Sequence, residues 1–296
     1  VSRKRTTLLF YLFISPWLLG FFIFTAGPMI YSLFISLTDF SGIGSAKFVG
    51  LANYAKMFTG DPLFWKSLWN TFVYTIFGVP LGLIAGYLLA LLLNTKVKGL
   101  GVWRTIFYLP SLVPAVASSL LWLLIFQPDF GVANAILRWA NLPTSNWLLS
   151  EAMSKPTLII MSLWGAGGGM IIYLAGLQDV PTSLYEAAEL DGAGPLRKFF
   201  TITIPMTSNV IFFNLIMGLI GSFQVFTQAY VVSNGKGGPN NSTLFYVLYL
   251  YSNAFSYFKM GYASALAWIL FLIILVVTVI QFKFFGNKVY YGDSTN

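Results

Sequence analysis

EAAELDGAGPLRKFFTITIP, residues 186–205, is the most heavily charged passage of a chain that carries little charge elsewhere. Of only nine acidic residues in 296, four (Asp179, Glu186, Glu189 and Asp191) fall within thirteen positions. Around this passage 57% of the chain is hydrophobic, 18% aromatic and 9% charged. Soluble domains carry about a quarter charged residues, so a water-facing surface cannot be built from this composition. The charge is therefore concentrated for a reason, and the flanking sequence has to supply it.

Six stretches are apolar and long enough to cross a hydrocarbon layer, which takes roughly twenty residues of helix. They centre near residues 10–35, 70–93, 105–127, 156–177, 208–231 and 261–282. No Asp, Glu, Lys or Arg lies between Thr6 and Thr38, Ser67 and Thr95, Thr105 and Pro128, Pro156 and Gln178, or Met260 and Phe282. A sixth charge-free run, Phe199 to Gly235, begins inside the charged loop itself. The expectation is an all-α membrane protein with a single domain over residues 1–296. A shorter aromatic run, Thr243–Phe255, is expected to lie at the membrane interface as a helix rather than to span.

VSRKRTT precedes the first span with too long an apolar run, and no small-residue cleavage site, for a signal peptide. It is read as a start-transfer anchor with the amino end inside. Six spans then return the carboxyl end to the cytoplasm, with Ser2 and Asn296 inside and Lys56, Asn146 and Asn240 outside. Ten basic residues (Arg3, Lys4, Arg5, Lys96, Lys98, Arg104, Arg197, Lys198, Lys283 and Lys288) then fall inside and seven outside, in longer loops. The net charge of +8 is scattered rather than gathered in a patch, which fits anionic headgroups and excludes a nucleic-acid partner.

The outer loops 39–66 and 128–155 each hold a segment suited to a short surface helix, and 232–260 opens with the turn-rich SNGKGGPNNST. Gly78, Gly82 and Gly86 recur at every fourth position of the second span, a spacing that favours close helix packing. WGAGGGM (164–170) lacks the spacing of a dinucleotide loop and is read as a close contact or a kink in the fourth span. The chain has no cysteine and no histidine, which removes disulfides, thiol chemistry and the usual soft-metal ligands. No triad or paired carboxylates assemble near a span, so the chain offers no basis for catalysis.

The charged loop reads as two short helices. Pro181 opens the first, Ser183 is placed to cap it with Glu186 three residues on, and Gly192 and Gly194 end it. Pro195 suits the first position of the second. Leu184, Ala187, Ala188 and Asp191 share one face on which small alanines permit close docking. Phe199, Phe200, Ile202 and Ile204 are placed to grip the bundle.

The spacing is more informative than the composition. Glu186-Ala187-Ala188, three residues, Gly192, nine residues, Ile202, one residue, Ile204-Pro205 resembles the EAA signature of permease subunits in bacterial ATP-binding-cassette importers, with Ile204 where leucine is usual. FVGLANYAKMFTGDPLFWKSLWNTFVYT (48–75), YLPSLVPAVASSLLWLLIFQPDFGVANAIL (108–137) and FQVFTQAYVVSNGKGGPNNST (223–243) resemble the sugar-permease branch serving maltose, other oligosaccharides and glycerol 3-phosphate.

The resemblance implies the type I importer permease fold with six transmembrane helices in a bacterial cytoplasmic membrane. It implies a second homologous permease, two cytoplasmic ATP-binding subunits and an extracytoplasmic solute-binding protein as partners. No cofactor is expected in this chain; ATP and magnesium belong to the partner ATPases. Within the coupling loop (179–205), Glu186, Ala187, Ala188, Glu189, Asp191 and Gly192 are then the ATPase-coupling residues. Ser222, Phe223, Gln224, Phe226, Thr227, Gln228 and Tyr230 are the expected substrate path: hydrogen-bonding groups in an apolar helix need partners or a wet cavity, and aromatic faces suit sugar rings. Asn214, deeper toward the cytoplasm, is expected to be structural. With no charge in the spans, a neutral glycan is favoured. An ion-coupled transporter or channel, the competing reading, would place ionisable groups within its spans, and this chain places none there.

Overall fold

The computed structural model describes residues 3–95, 98–286 and 289–290. Of the expected cytoplasmic positions, Ser2, Lys96, Lys288 and Asn296 lie outside the described residues. In chain order the helices are α1 (Arg3–Phe21), α2 (Gly27–Ser36), α3 (Ala52–Thr59), α4 (Pro62–Leu93), α5 (Leu100–Leu112), α6 (Ala115–Ile125), α7 (Val132–Trp139), α8 (Ser154–Leu163) and α9 (Gly167–Gln178). They continue with α10 (Thr182–Leu190), α11 (Pro195–Lys198), α12 (Ile204–Met206), α13 (Ser208–Phe223), α14 (Thr227–Ser233), α15 (Tyr246–Tyr251) and α16 (Met260–Phe285). A two-stranded antiparallel pair, β1 (Thr38–Asp39) and β2 (Lys47–Phe48), was not expected from the sequence.

Four helical stretches, Leu9–Ser36, Pro62–Leu93, Ser208–Ser233 and Met260–Phe285, are long and apolar enough to cross a membrane unaided. Two further candidates are bent pairs: α5 with α6 at 95°, and α8 with α9 at 47°. The first bend has a local cause. Val113 precedes a proline, whose ring pushes it out of the helical region to φ −71°, ψ 127°, so α5 must stop before Pro114.

The chain forms two compact units. One comprises the chain up to Asp61 together with Leu250–Leu272. Within it the span Leu9–Ser36 keeps its apolar side chains almost wholly exposed, as a lipid-facing helix does. The Asn53 amide of α3 donates to the carbonyls of Ser36 and Thr38 at 2.8 and 2.9 Å, fastening the surface helix to the end of α2. Tyr262 donates to the Asp61 carboxylate, and the Lys56 ammonium lies 5.5 Å from the Tyr262 ring centre.

The other unit comprises Pro62–Tyr249 and the chain from Ile273 onward. α4 is its axis, packed against α8, α9 and α13. One core lies between α4 and α9, where Tyr87, Ala90, Leu93, Met170, Tyr173, Leu174 and Leu177 are buried together and Phe199 and Val210 close the side. Gly167 lets α9 approach α5 closely: a Cβ there would lie 1.9 Å from the Phe107 carbonyl oxygen. WGAGGGM is thus both the contact and the bend. The α4 glycines divide their roles. Gly86 packs with 3.2 Å between a built Cβ and the Ala166 carbonyl oxygen, whereas Gly82 meets nothing within 4 Å.

The segment after residue 243 corrects the sequence reading. Leu244, Phe245, Tyr246 and Leu248 are buried in protein rather than resting at an interface. Phe245 and Tyr246 pack on Tyr74 and Phe64 of α4 at ring distances of 5.2 and 5.9 Å. The Tyr246 amide donates to the Thr71 hydroxyl at 2.9 Å, and the Asn70 amide donates to the carbonyls of Asn241 and Leu244 at 2.8 and 3.1 Å. An aromatic segment supplied with these partners by a neighbouring helix gains more from burial than from a headgroup layer.

Candidate functional site

The charged loop folds as two helical pieces joined by a tight turn. α10 ends in paired backbone bonds, Gly192 N–H to the Glu189 carbonyl at 3.0 Å and Ala193 N–H to the Ala188 carbonyl at 2.8 Å. This is the Schellman arrangement, and it needs the left-handed φ of +74° found at Gly192. Pro195 opens α11 as expected, but Gly194 caps that second helix rather than ending the first. The expected Ser183 cap does not form: the helix starts at Thr182, two residues before a Ser183 cap would start it, with Pro181 in the cap position and no side-chain cap bond. The Leu184 amide instead meets the Pro181 carbonyl at 3.2 Å.

The two faces of α10 differ. Tyr185 and Ala188 turn partly inward, while Leu184, Glu186, Ala187, Glu189, Leu190 and Asp191 are exposed. Leu190 and Leu196, 90% and 75% exposed, flank the Gly192 turn as two apolar projections that sequence reasoning passed over. Glu189 is paired with Lys198 at 2.6 Å, and this bond holds its carboxyl below the usual carboxylate range. Among the described residues no side chain pairs with Glu186. Of the four residues expected to grip the bundle, Phe199 reaches Tyr87 at 6.4 Å between ring centres, but Phe200 is 63% exposed. Ile202 and Ile204 are half-buried, and the fully inward positions are Thr203 and Thr207.

In the same unit a groove of about 580 Å³ opens among α4, α6, α8, α9, α13 and α14. Its wall includes Ser222, Phe226, Thr227 and Gln228 of the expected path, together with Tyr74, Ser162, Tyr173 and Asn214. None of the residues lining it carries a charge. Three expected residues lie elsewhere: Phe223 is buried in the core, Gln224 is exposed at the end of α13, and Tyr230 is exposed, 5.4 Å from the Phe226 ring. The placement follows from a break in the fifth span. α13 stops at Phe223 and α14 starts at Thr227, so residues 224–226 turn rather than follow one helical face. Irregular backbone at membrane depth is tolerated where it lines a wet cavity.

The other groove residues came from helices read only for packing. Tyr74, Gly78 and Gly82 form a fourfold-spaced stripe on α4, and the stripe that suggested helix contact also leaves open space beside Gly82. Asn214, expected to be structural, does both: its amide donates to the Val210 carbonyl at 2.8 Å, and it lines the groove.

Residues 78–286, which hold the groove's α9, α13 and α14 and the whole charged loop, match the family described as binding-protein-dependent transport system inner membrane component. The chain belongs to that family. It is a multi-pass membrane permease of the type I importer fold. The permease is 44% identical over 292 residues, 98% of its length and 94% of the relative's, to the probable ABC transporter permease protein YesP of Bacillus subtilis (strain 168). It is 35% identical over 94% of its length, and 88% of the relative's, to the arabinooligosaccharides transport system permease protein AraP of the same organism. Among solved structures, a bacterial alginate ABC transporter in complex with an alginate pentasaccharide-bound periplasmic protein superposes with a TM-score of 0.83 over 98% of both chains. Identity there is 24%, so the likeness is one of fold.

Proposed function

We propose that the permease forms, with a second homologous permease, the translocation pathway for a neutral sugar or oligosaccharide handed over by an extracytoplasmic solute-binding protein. Its place is a bacterial cytoplasmic membrane with both ends of the chain in the cytoplasm. Two cytoplasmic ATPases, which bind ATP and magnesium, dock on the loop from Thr182 to Leu196 and drive transport. This chain itself performs no catalysis.

The observation that carries the reading is the uncharged groove. Aromatic rings and neutral hydrogen-bonding groups (Tyr74, Phe226, Ser162, Asn214, Thr227 and Gln228) share one wall, the combination that suits a sugar's apolar ring face and its hydroxyl rim. A carboxylate or ammonium entering it would lose its hydration with no opposite charge to meet. Relatives named for arabinooligosaccharides and, at 35% identity, for lactose support the sugar class.

The loop supports the second half of the proposal. It presents an exposed carboxylate at Glu186, two apolar projections at Leu190 and Leu196, and a turn fixed by Gly192. A soluble partner with a basic, partly apolar cleft would match it.

The test is the assembled complex with its binding protein, screened with neutral and acidic glycans for stimulation of ATP hydrolysis. Stimulation by a neutral glycan is expected, with about tenfold loss of uptake in Phe226→Ala and Gln228→Ala, the scale of one lost specific contact. Glu186→Lys and Gly192→Pro should release or uncouple the ATPases while the permeases still insert and pair. Normal ATPase association and normal stimulation in both of these variants would remove the docking role from the loop.

A further inference from the structure

Four side chains that no sequence motif singles out join the exposed loop to the groove. The Tyr185 hydroxyl on α10 meets the Thr203 hydroxyl at 3.0 Å. Thr207, one turn on, donates its only hydroxyl hydrogen to the Thr203 carbonyl at 2.7 Å. The Tyr87 hydroxyl on α4 lies 2.8 Å from the Thr207 oxygen. Because Thr207 has no second hydrogen to give, Tyr87 must be the donor in that bond. The Tyr87 ring stands edge-on to Tyr173 of α9, 5.2 Å away at 90°, and Tyr173 lines the groove.

Two features of this column point to a movable element rather than to packing alone. Tyr173 is 1% exposed, and among the described residues its hydroxyl has no hydrogen-bond partner. A buried orphan hydroxyl costs on the order of 1–3 kcal/mol, so any arrangement that pairs it is favoured by that amount. At the other end, residues Phe199–Thr203 form a π-turn, one residue wider than the helix on either side, and Thr203 is its last residue. Such turns can shift register at low cost, and the helix beyond this one runs into the groove wall at Asn214 and Ser222.

We infer that the hydroxyl column Tyr185–Thr203–Thr207–Tyr87, ending on Tyr173, sets the position of α10 according to the state of the groove. It rests on the import reading above. The four residues are positioning residues: they touch neither sugar nor ATP in this role. When the groove changes shape, Tyr173 moves against Tyr87, Tyr87 moves the Thr207 hydroxyl and, through its bond to the Thr203 carbonyl, the backbone that carries the Thr203 hydroxyl, and Tyr185 takes the displacement to the loop that meets the ATPase. α9 is also continuous with α10 through Asp179–Pro181, so α10 is held covalently at one end and by hydroxyls along its inner face.

The test uses the complete complex, with partner permease, ATPases and binding protein, reconstituted in liposomes. The readout is sugar transported per ATP hydrolysed, together with the ratio of sugar-stimulated to basal hydrolysis. Tyr185→Phe and Thr203→Val each lower both quantities about fivefold, the shift in population that one lost hydrogen bond brings. Their double variant falls no further than either alone, Thr203→Ser restores the wild-type ratio, and Ser119→Ala, a buried hydroxyl bonded only within its own turn on α6, changes nothing. Tyr87→Phe gives the same loss. If it fails to assemble, Tyr185→Phe, at the half-buried edge of the column, still decides the matter. Unchanged ratios in Tyr185→Phe and Thr203→Val with ATPases bound, or equal losses in Thr203→Ser and Thr203→Val, overturn this inference alone. A wild-type complex that no glycan stimulates overturns the import reading and the column with it.

Discussion

Two turn-rich polar segments of the same unit, residues 182–196 and 233–246, use their polarity in opposite directions. The first turns it outward. Glu186, Glu189 and Asp191 are exposed, and the only ion pair formed there among the described residues, Glu189 with Lys198, is itself at the surface. The second turns it inward. Ser242 is fully buried and its hydroxyl accepts from Ser154 at 2.8 Å, and Asn70 holds two of the segment's carbonyls. In lipid, polar groups survive either by facing water or by satisfying one another, and these two segments take one solution each. A segment built outward is free to meet a partner; a segment built inward is a clamp.

The largest expected difference between them is in stability. Asn70 is buried, donates to the carbonyls of Asn241 and Leu244, and accepts from the Lys155 ammonium at 3.3 Å. Replacing it by leucine of similar bulk takes the amide donor from the Leu244 carbonyl and the acceptor from the Lys155 ammonium, and leaves the Asn241 carbonyl only the Leu244 N–H at 3.2 Å among the described residues. Asn70→Leu is expected to destabilise the protein by about 2–4 kcal/mol, since each orphaned buried group costs about 1–3. Glu186→Gln, at an exposed position without a side-chain partner among the described residues, should stay within about 0.5 kcal/mol. Denaturant unfolding in detergent, followed by tryptophan fluorescence, measures both. Equal losses would erase the distinction between clamp and docking surface.

That distinction also explains what the sequence could convey. Charge-free runs announced the spans because lipid leaves no alternative, and the spacing from Glu186 to Pro205 announced the loop because turn and helix starts need glycine and proline at set offsets. Ser222, Thr227 and Gln228 pointed to the groove for the same reason, since each is an uncharged donor in an apolar helix, and Phe226 beside them supplied an aromatic face. What could not be read is the pairing between distant helices. Tyr74, Ser162 and Tyr173 look like ordinary span residues until α4, α8 and α9 are placed side by side. The 243–249 run looks interfacial until Asn70 and Thr71 are seen beneath it. Asn70 itself carried a signal, an amide in an otherwise apolar helix, that would have marked it as a clamp. Ser183 did not become the cap because the helix begins two residues before a Ser183 cap would start it, with Pro181 in the cap position and its carbonyl taking the Leu184 amide.

A finer comparison uses one glycine from each segment. Gly192 and Gly237 both hold left-handed backbone, at φ +74° and +80°. Around Gly192 a built Cβ meets nothing within 4 Å, whereas at Gly237 it would lie 2.8 Å from the Leu244 Cβ and 3.2 Å from that residue's Cα. Gly192→Ala should therefore cost only the left-handed penalty, about 1–2 kcal/mol, with the loop still presented to its partner. Gly237→Ala adds a steric conflict that the buried Leu244 cannot relieve and should cost about 1–3 kcal/mol more. Equal unfolding midpoints for the two variants would mean that the 233–246 segment is looser than its contacts imply.

The smallest expected effect separates the surface ion pairs of the two regions. Beside the 233–246 segment Glu151 accepts from the Asn240 amide at 2.9 Å and faces the Lys66 ammonium at 3.5 Å; at the 182–196 segment Glu189 meets Lys198 at 2.6 Å. Both carboxyls are held below the usual carboxylate range, Glu151 chiefly by the Asn240 hydrogen bond and Glu189 chiefly by that from Lys198. A depressed folded-state pKa contributes stability that is present above the unfolded value and is lost as pH falls through the folded one. Both contributions are therefore intact at neutral pH and fade in acid. Both groups are solvent-exposed, so salt screens them and each contribution is small. Glu151→Gln and Glu189→Gln should each leave the neutral-pH melting temperature nearly unchanged while flattening its decline below about pH 4, the ordinary carboxylate range. The flattening should shrink more in high salt for Glu189→Gln, because the dominant partner of Glu189 is a charge and that of Glu151 is a neutral amide. Melting curves across pH at low and high salt read this difference, and an identical salt response would show that both carboxylates are governed by charge alone.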